Sequence, residues 1–119
     1  MLSAAPHQIA VRPFAHPNDL DRKRIERALK ARKRYRYVTP RVATTVGGYR
    51  IESPCCSRNV DRDGGIVEVA LLLHDADGAE WQLFRRDHGN GLWQLDSTHD
   101  RLPAALERLN EDPDRSFWQ

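Results

Sequence analysis

Three turn signals constrain this chain more than any other feature. Gly47-Gly48, "DADG" (residues 75–78) and "HGNG" (residues 88–91) punctuate a stretch otherwise rich in β-branched, aromatic and long apolar residues. Gly, Asn and Asp suit the positive φ angles and side-chain-to-backbone bonds of tight reversals, so the segments between them are expected to run antiparallel. Those segments are "RVATTV" (41–46), "YRIES" (49–53), "IVEVALLLH" (66–74), "AEWQLFRRD" (79–87) and "LWQLDS" (92–97). Residues 66–74 are the most apolar and are assigned the central strand. The two-residue period of a strand puts Trp81 and Leu83 on one face, and likewise Trp93 with Leu95. Both Gly47 and Gly48 are expected to adopt positive φ.

Helical periodicity brackets this β region. Asn18 or Asp19 can cap the free N–H groups of a first helix, and Asp21 falls favourably in its first turn. The spacing carries that helix to Tyr35, with Ile25, Ala28, Leu29 and Tyr35 as a narrow inward stripe. Near the C-terminus Leu102, Ala105, Leu106 and Leu109 recur at i, i+3, i+4 and i+7. Pro103 fits only the first turn, so this helix is placed from about Asp100 to before Pro113. Phe117 and Trp118 are expected to dock on the core, since each carries well over ~100 Å² of apolar surface. The reading is a two-layer α+β domain: an antiparallel meander of about five strands flanked by an N-terminal and a C-terminal helix. Pro6, Pro13 and Pro17 mark residues 1–17 as an irregular arm, leaving 18–119 as a single domain.

A chain of 119 residues can bury one core without staples. Its 30% charged and 39% hydrophobic residues describe an ordinary folded protein. The longest apolar run, "IVEVALLL", is broken by Glu68 and is too short to cross a bilayer. The opening lacks a charged segment followed by a continuous apolar one, so no signal peptide, no membrane partner and a cytoplasmic location are expected.

The net charge of +2 conceals a polarity along the chain. Residues 1–50 carry 12 Lys and Arg against 3 acids, whereas residues 51–119 carry 7 against 14. The basic excess is concentrated in "RKRIERALKARKRYR" (22–36), where nine basic residues face Glu26 alone. Lys23, Arg27, Lys30 and Arg34 are spaced i, i+4, i+7 and i+11 and form one row opposite the apolar stripe, with Arg36 following. Such a row can meet several carboxylates or phosphates together. The expected function is that of a small non-catalytic accessory protein whose basic helix contacts an acidic partner protein. Binding of nucleic acid through the same residues is the alternative, with Tyr35 and Tyr37 available to stack on bases. Asn and Gln, the side chains that read base edges, are absent from the helix, which favours the protein partner.

A thiol- or metal-dependent role would centre on "SPCCSRNVDRDGG" (53–65), in which Arg58 could activate Cys55 or Cys56. Adjacent cysteines lack the spacing that lets two thiolates share a metal, and none of His7, His16, His74, His88 and His99 is spaced from them as a zinc ligand. The expectation is a structured loop without metal. "DRDGG" and "DADG" resemble calcium loops only at their start and are read as turns. Asp87 beside His88 suggests an acid–base pair, but Ser53, Ser57 and Ser97 lack a nucleophile-elbow setting. No cofactor and no catalytic residue are assigned.

Overall fold

The computed structural model describes residues 15–54 and 65–119. Helix α1 (Asp19–Ala28) runs into a 3₁₀ turn (Leu29–Ala31). Five strands follow: β1 (Arg41–Thr45), β2 (Gly48–Pro54), β3 (Ile66–Asp75), β4 (Glu80–Asp87) and β5 (Leu92–His99). Helix α2 (Leu102–Glu111) completes the order. The strands form one antiparallel sheet in sequence order, β1-β2-β3-β4-β5, so the α+β meander expected from the turn signals is the observed fold. β3 lies at its centre, as its apolar run requires.

Each turn has a visible cause. Thr45 pairs with Gly48 across Val46-Gly47, and only Gly47 has positive φ, at 80°. Gly48 is needed for a different reason: a Cβ there would stand 1.8 Å from the Leu72 carbonyl oxygen. At the next reversal the Asp75 carboxylate accepts the N–H groups of Asp77 and Gly78. At the last, Asp87 accepts the Asn90 N–H and side-chain amide, and Gly91 takes φ 67°. The Asp87 carboxylate is therefore engaged by its own turn.

Both helices cover one face of the sheet. Tyr49, Ile51, Leu72, Trp81 and Leu83 from the strands meet Ile25 and Leu29 from the N-terminal side and Ala105, Leu106 and Leu109 from α2. Phe117 and Trp118 close this core and are almost wholly buried, as expected. Bulges between Ile51 and Glu52 and between Leu83 and Phe84 shift the register within β2 and β4. On the uncovered face Leu71, Phe84 and Leu95 lie opposite one another in register, with Leu95 half exposed.

The first helix is shorter than its periodicity implies. α1 begins where expected, with the Asn18 side chain accepting the Asp21 N–H at 2.7 Å. It ends at Ala28 rather than near Tyr35. Arg32 is extended, and its buried guanidinium donates to the carbonyl oxygens of Leu29, Tyr35 and Val38. Those bonds replace the helical ladder and hold the chain in a reversal, in which Tyr35 takes φ 55°. The Arg32 guanidinium also lies 5.6 Å from the Trp118 ring centre, so the C-terminal tail helps to fix where the helix stops.

Candidate functional site

The reversal after Ala31 reshapes the cationic row. Lys23, Arg27 and Lys30 remain on one side of α1 and its 3₁₀ extension, and all three are exposed. Arg34 leaves the row. Its guanidinium donates to the carbonyl oxygens of Asp112 and Pro113, at 3.1 and 3.2 Å, and so ties the reversal to the C-terminal segment. Arg36 returns beside the helix once the chain has turned.

Lys23, Arg27, Lys30 and Arg36 line a single groove of about 590 Å³. Leu29, Val38, Thr39 and Pro40 also line it, as do Glu26, which pairs with Arg22, and Arg32, a fifth cation that the linear spacing did not single out. Burial and the neighbouring Arg36 both lower the Arg32 pKa from its ordinary value. Four of the five residues expected to bind an anion thus meet in one place, and Arg34 does not join them.

The acids near this groove are already committed. Asp19 and Glu26 pair with Arg22, at 3.5 and 3.0 Å. Asp21 pairs with Arg24 and accepts the Asn18 side-chain amide. Glu111, from the acidic half of the chain, reaches Lys33 at 3.8 Å. Among the described residues no carboxylate lies within ion-pair distance of Lys23, Arg27 or Lys30. The acidic half thus supplies a carboxylate to Lys33 in the reversal and, among the described residues, none to the helix row. The two tyrosines also part: Tyr35 donates its hydroxyl to the Gln119 carbonyl and packs edge-on against Trp118, whereas Tyr37 is 83% exposed.

A second cluster escaped the sequence reading. His16, assigned to the arm, packs against Tyr49, His74 and Trp81, with ring centres 5.7, 4.7 and 4.6 Å away. Its Nδ1 bonds the Tyr49 hydroxyl at 2.8 Å and lies 3.7 Å from the Asp21 carboxylate. His16 of the arm is thus packed onto the sheet beside the start of α1. Burial, with the neighbouring His74, lowers the His16 pKa, against a weaker pull from Asp21. Burial likewise raises the Tyr49 phenol. These groups favour their neutral forms and knit the start of α1 to the sheet. Pro17 and Asn18 beside His16 were the available signal, since a capping residue must be held in place by whatever precedes it.

Cys55, Cys56 and Arg58 lie outside the described residues. Among the described residues no group of three or more His, Cys, Asp or Glu is arranged to hold a metal ion, and no helix is long and apolar enough to cross a membrane. No curated protein and no solved structure matches the chain. A family model does match, over residues 13–119, which takes in both helices, the whole sheet and the cationic groove. The chain belongs to that family, the domain of unknown function DUF3024.

Proposed function

We propose that this is a non-catalytic binding protein whose cationic groove receives an acidic segment of a partner protein. One observation carries the reading: Lys23, Arg27 and Lys30 stand exposed and unpaired among the described residues while the acids of their own helix are engaged elsewhere. A helix rises about 1.5 Å per residue, so these three charges span about 10 Å, enough to meet several side chains of an extended acidic peptide. Val38, Thr39 and Pro40 add uncharged lining beside the cations, which suits a peptide better than a bare ion. Electrostatic attraction of this kind raises the association rate and weakens with salt.

The probe is a fluorescent peptide of about ten glutamates, titrated by anisotropy at several salt concentrations beside single-stranded and duplex oligonucleotides. Saturable peptide binding that weakens with salt is expected, and Lys23→Glu with Arg27→Glu should abolish it. Failure of the peptide to bind at low salt overturns the proposal. A second reading, nucleic acid, draws on the exposed Tyr37 next to Arg36. Binding of single strands but not of the peptide, reduced by Tyr37→Ala, selects it.

A further inference from the structure

The cationic groove has two walls. One is α1 with its 3₁₀ turn, which brings Lys23, Arg27 and Lys30; the other is the chain returning after the reversal, which brings Arg36, Val38 and Pro40. The returning wall is fastened to the C-terminal segment at consecutive residues. The Arg32 guanidinium lies 5.6 Å from the Trp118 ring centre. The Lys33 N–H donates to the Asn110 carbonyl at 3.0 Å. Arg34 donates to the carbonyls of Asp112 and Pro113. The Tyr35 hydroxyl donates to the Gln119 carbonyl, and its ring meets Trp118 edge-on at 6.2 Å. Arg36 comes next in the chain. None of Asn110, Asp112, Pro113, Trp118 and Gln119 lines the groove itself.

The two sides of this fastening differ in how firmly they are held. Phe117 and Trp118 are almost wholly buried, and the Trp118 indole N–H donates to the Leu109 carbonyl at 3.0 Å. The Gln119 side-chain amide donates to the carbonyls of Arg86 and Ser116, at 3.2 and 2.9 Å. Lys33, Arg36, Tyr37 and Thr39 of the returning chain are exposed, and segments of that kind open locally at a fraction of the cost of global unfolding. Charge adds to the opening. Arg36 shares the groove with Lys23, Arg27 and Lys30, and like charges repel. An empty groove therefore pushes its own walls apart, and the contacts to the C-terminal segment oppose that push.

We propose that the C-terminal tail positions the returning wall of the groove, with Tyr35 and Gln119 as the positioning residues, so that tail contacts and an acidic occupant favour one another. The proposal rests on the reading of the groove as a site for acidic segments. Such a segment reaches Arg36 and the α1 row together only while the reversal is closed. By linkage, binding favours the closed form by the same factor by which closure favours binding.

Tyr35→Phe deletes the hydroxyl and keeps the ring on Trp118, and Gln119→Ala deletes the amide bonds that hold Gln119 in place. Both variants are neutral and neither residue lines the groove, so its charge is unaltered. The Val38 N–H donates to the Tyr35 carbonyl at 3.3 Å and reports on the reversal by hydrogen exchange. Without peptide, that exchange should be about two- to tenfold faster in each variant, the worth of one hydrogen bond. The double variant should be no more than about twofold faster than the faster single one, because both act through one contact. The peptide of about ten glutamates, titrated by NMR, should shift the Gln119 side-chain amide in the wild type but not in Tyr35→Phe, and should bind Tyr35→Phe at least about twofold more weakly. Unchanged Val38 exchange in both variants overturns the proposal, as do effects that multiply in the double variant. Equal peptide affinity for wild type and Tyr35→Phe overturns it too, as does a Gln119 shift that persists in Tyr35→Phe. A wild-type chain that ignores the peptide overturns instead the assignment of the groove to acidic segments, and the exchange rates then decide the positioning role alone.

Discussion

Replacing Asp112 with alanine should destabilise the whole domain, although the residue lies outside helix and sheet. Its carboxylate is almost completely buried and accepts the backbone N–H groups of Ser116 at 2.7 Å, Phe117 at 3.2 Å and Trp118 at 2.8 Å. Alanine would leave the last two donors buried and unpaired, at about 1–3 kcal/mol each. The tail could escape that cost only by undocking. Undocking would return Phe117 and Trp118 to water, roughly 150–250 Å² apiece, which at about 25 cal/mol per Å² is a loss of about 7–12 kcal/mol. Remaining docked is the cheaper response, so the loss is set by the two stranded donors and by alanine's dislike of φ 36°, the value at Asp112. The expected loss is about 3–5 kcal/mol, a large share of the ~5–15 kcal/mol typical of a domain. Asp112→Asn, which keeps the shape and one acceptor, should lose about 1–3 kcal/mol. Urea unfolding followed in parallel by tryptophan fluorescence and circular dichroism measures both. A loss under ~1 kcal/mol for Asp112→Ala, with Trp118 still in its buried environment, would mean that desolvating the carboxylate cancels its bonds and would refute this account.

Two further outcomes follow from the sheet and its lid. Because the folded state lowers the His16 pKa from 6.5, it binds fewer protons than the unfolded chain; the stabilisation is present above that value and declines as pH falls below it. His88, lowered by burial and by Arg86, acts in the same direction. Urea midpoints should therefore drop from about pH 7 to about pH 5, and His16→Gln should shrink the drop without removing it; an unchanged drop contradicts the assignment. Gly48→Ala places a Cβ against the Leu72 carbonyl and should destabilise by more than ~2 kcal/mol, whereas Gly47→Ala meets open space and should lose only the ~1 kcal/mol of a positive φ. Equal thermal shifts for the two variants would refute the distinction.

What the sequence revealed and what it hid divide along a physical line. Strand identity and turn position depend on neighbours: a two-residue period in 79–87, a carboxylate at Asp75 that bonds Asp77 and Gly78. These were legible. The end of α1 was not, because arginine is a good helix former and only its distant contacts turn Arg32 aside, toward Trp118 and the carbonyls of its own loop. That single diversion also removed Arg34 from the cationic row and brought Arg36 into the groove by a route that residue spacing could not predict. Asn110 did leave a trace, since it is the polar residue at i+4 from Leu106 on an otherwise apolar stripe. Such a residue is either bonded or waiting for a partner, and only the fold tells which. The same holds for the charge of α1 as a whole. Its positions 23, 26 and 27 line one groove together with Lys30 of the 3₁₀ turn, and its positions 21, 24 and 28 line a cleft facing α2 together with Ala31. The helix borders two openings, and its net charge describes neither. What separates them is where the acids fall: Asp21 holds Arg24 on the cleft side, Arg22 draws off Asp19 and Glu26, and Lys23, Arg27 and Lys30 are left with no carboxylate partner among the described residues.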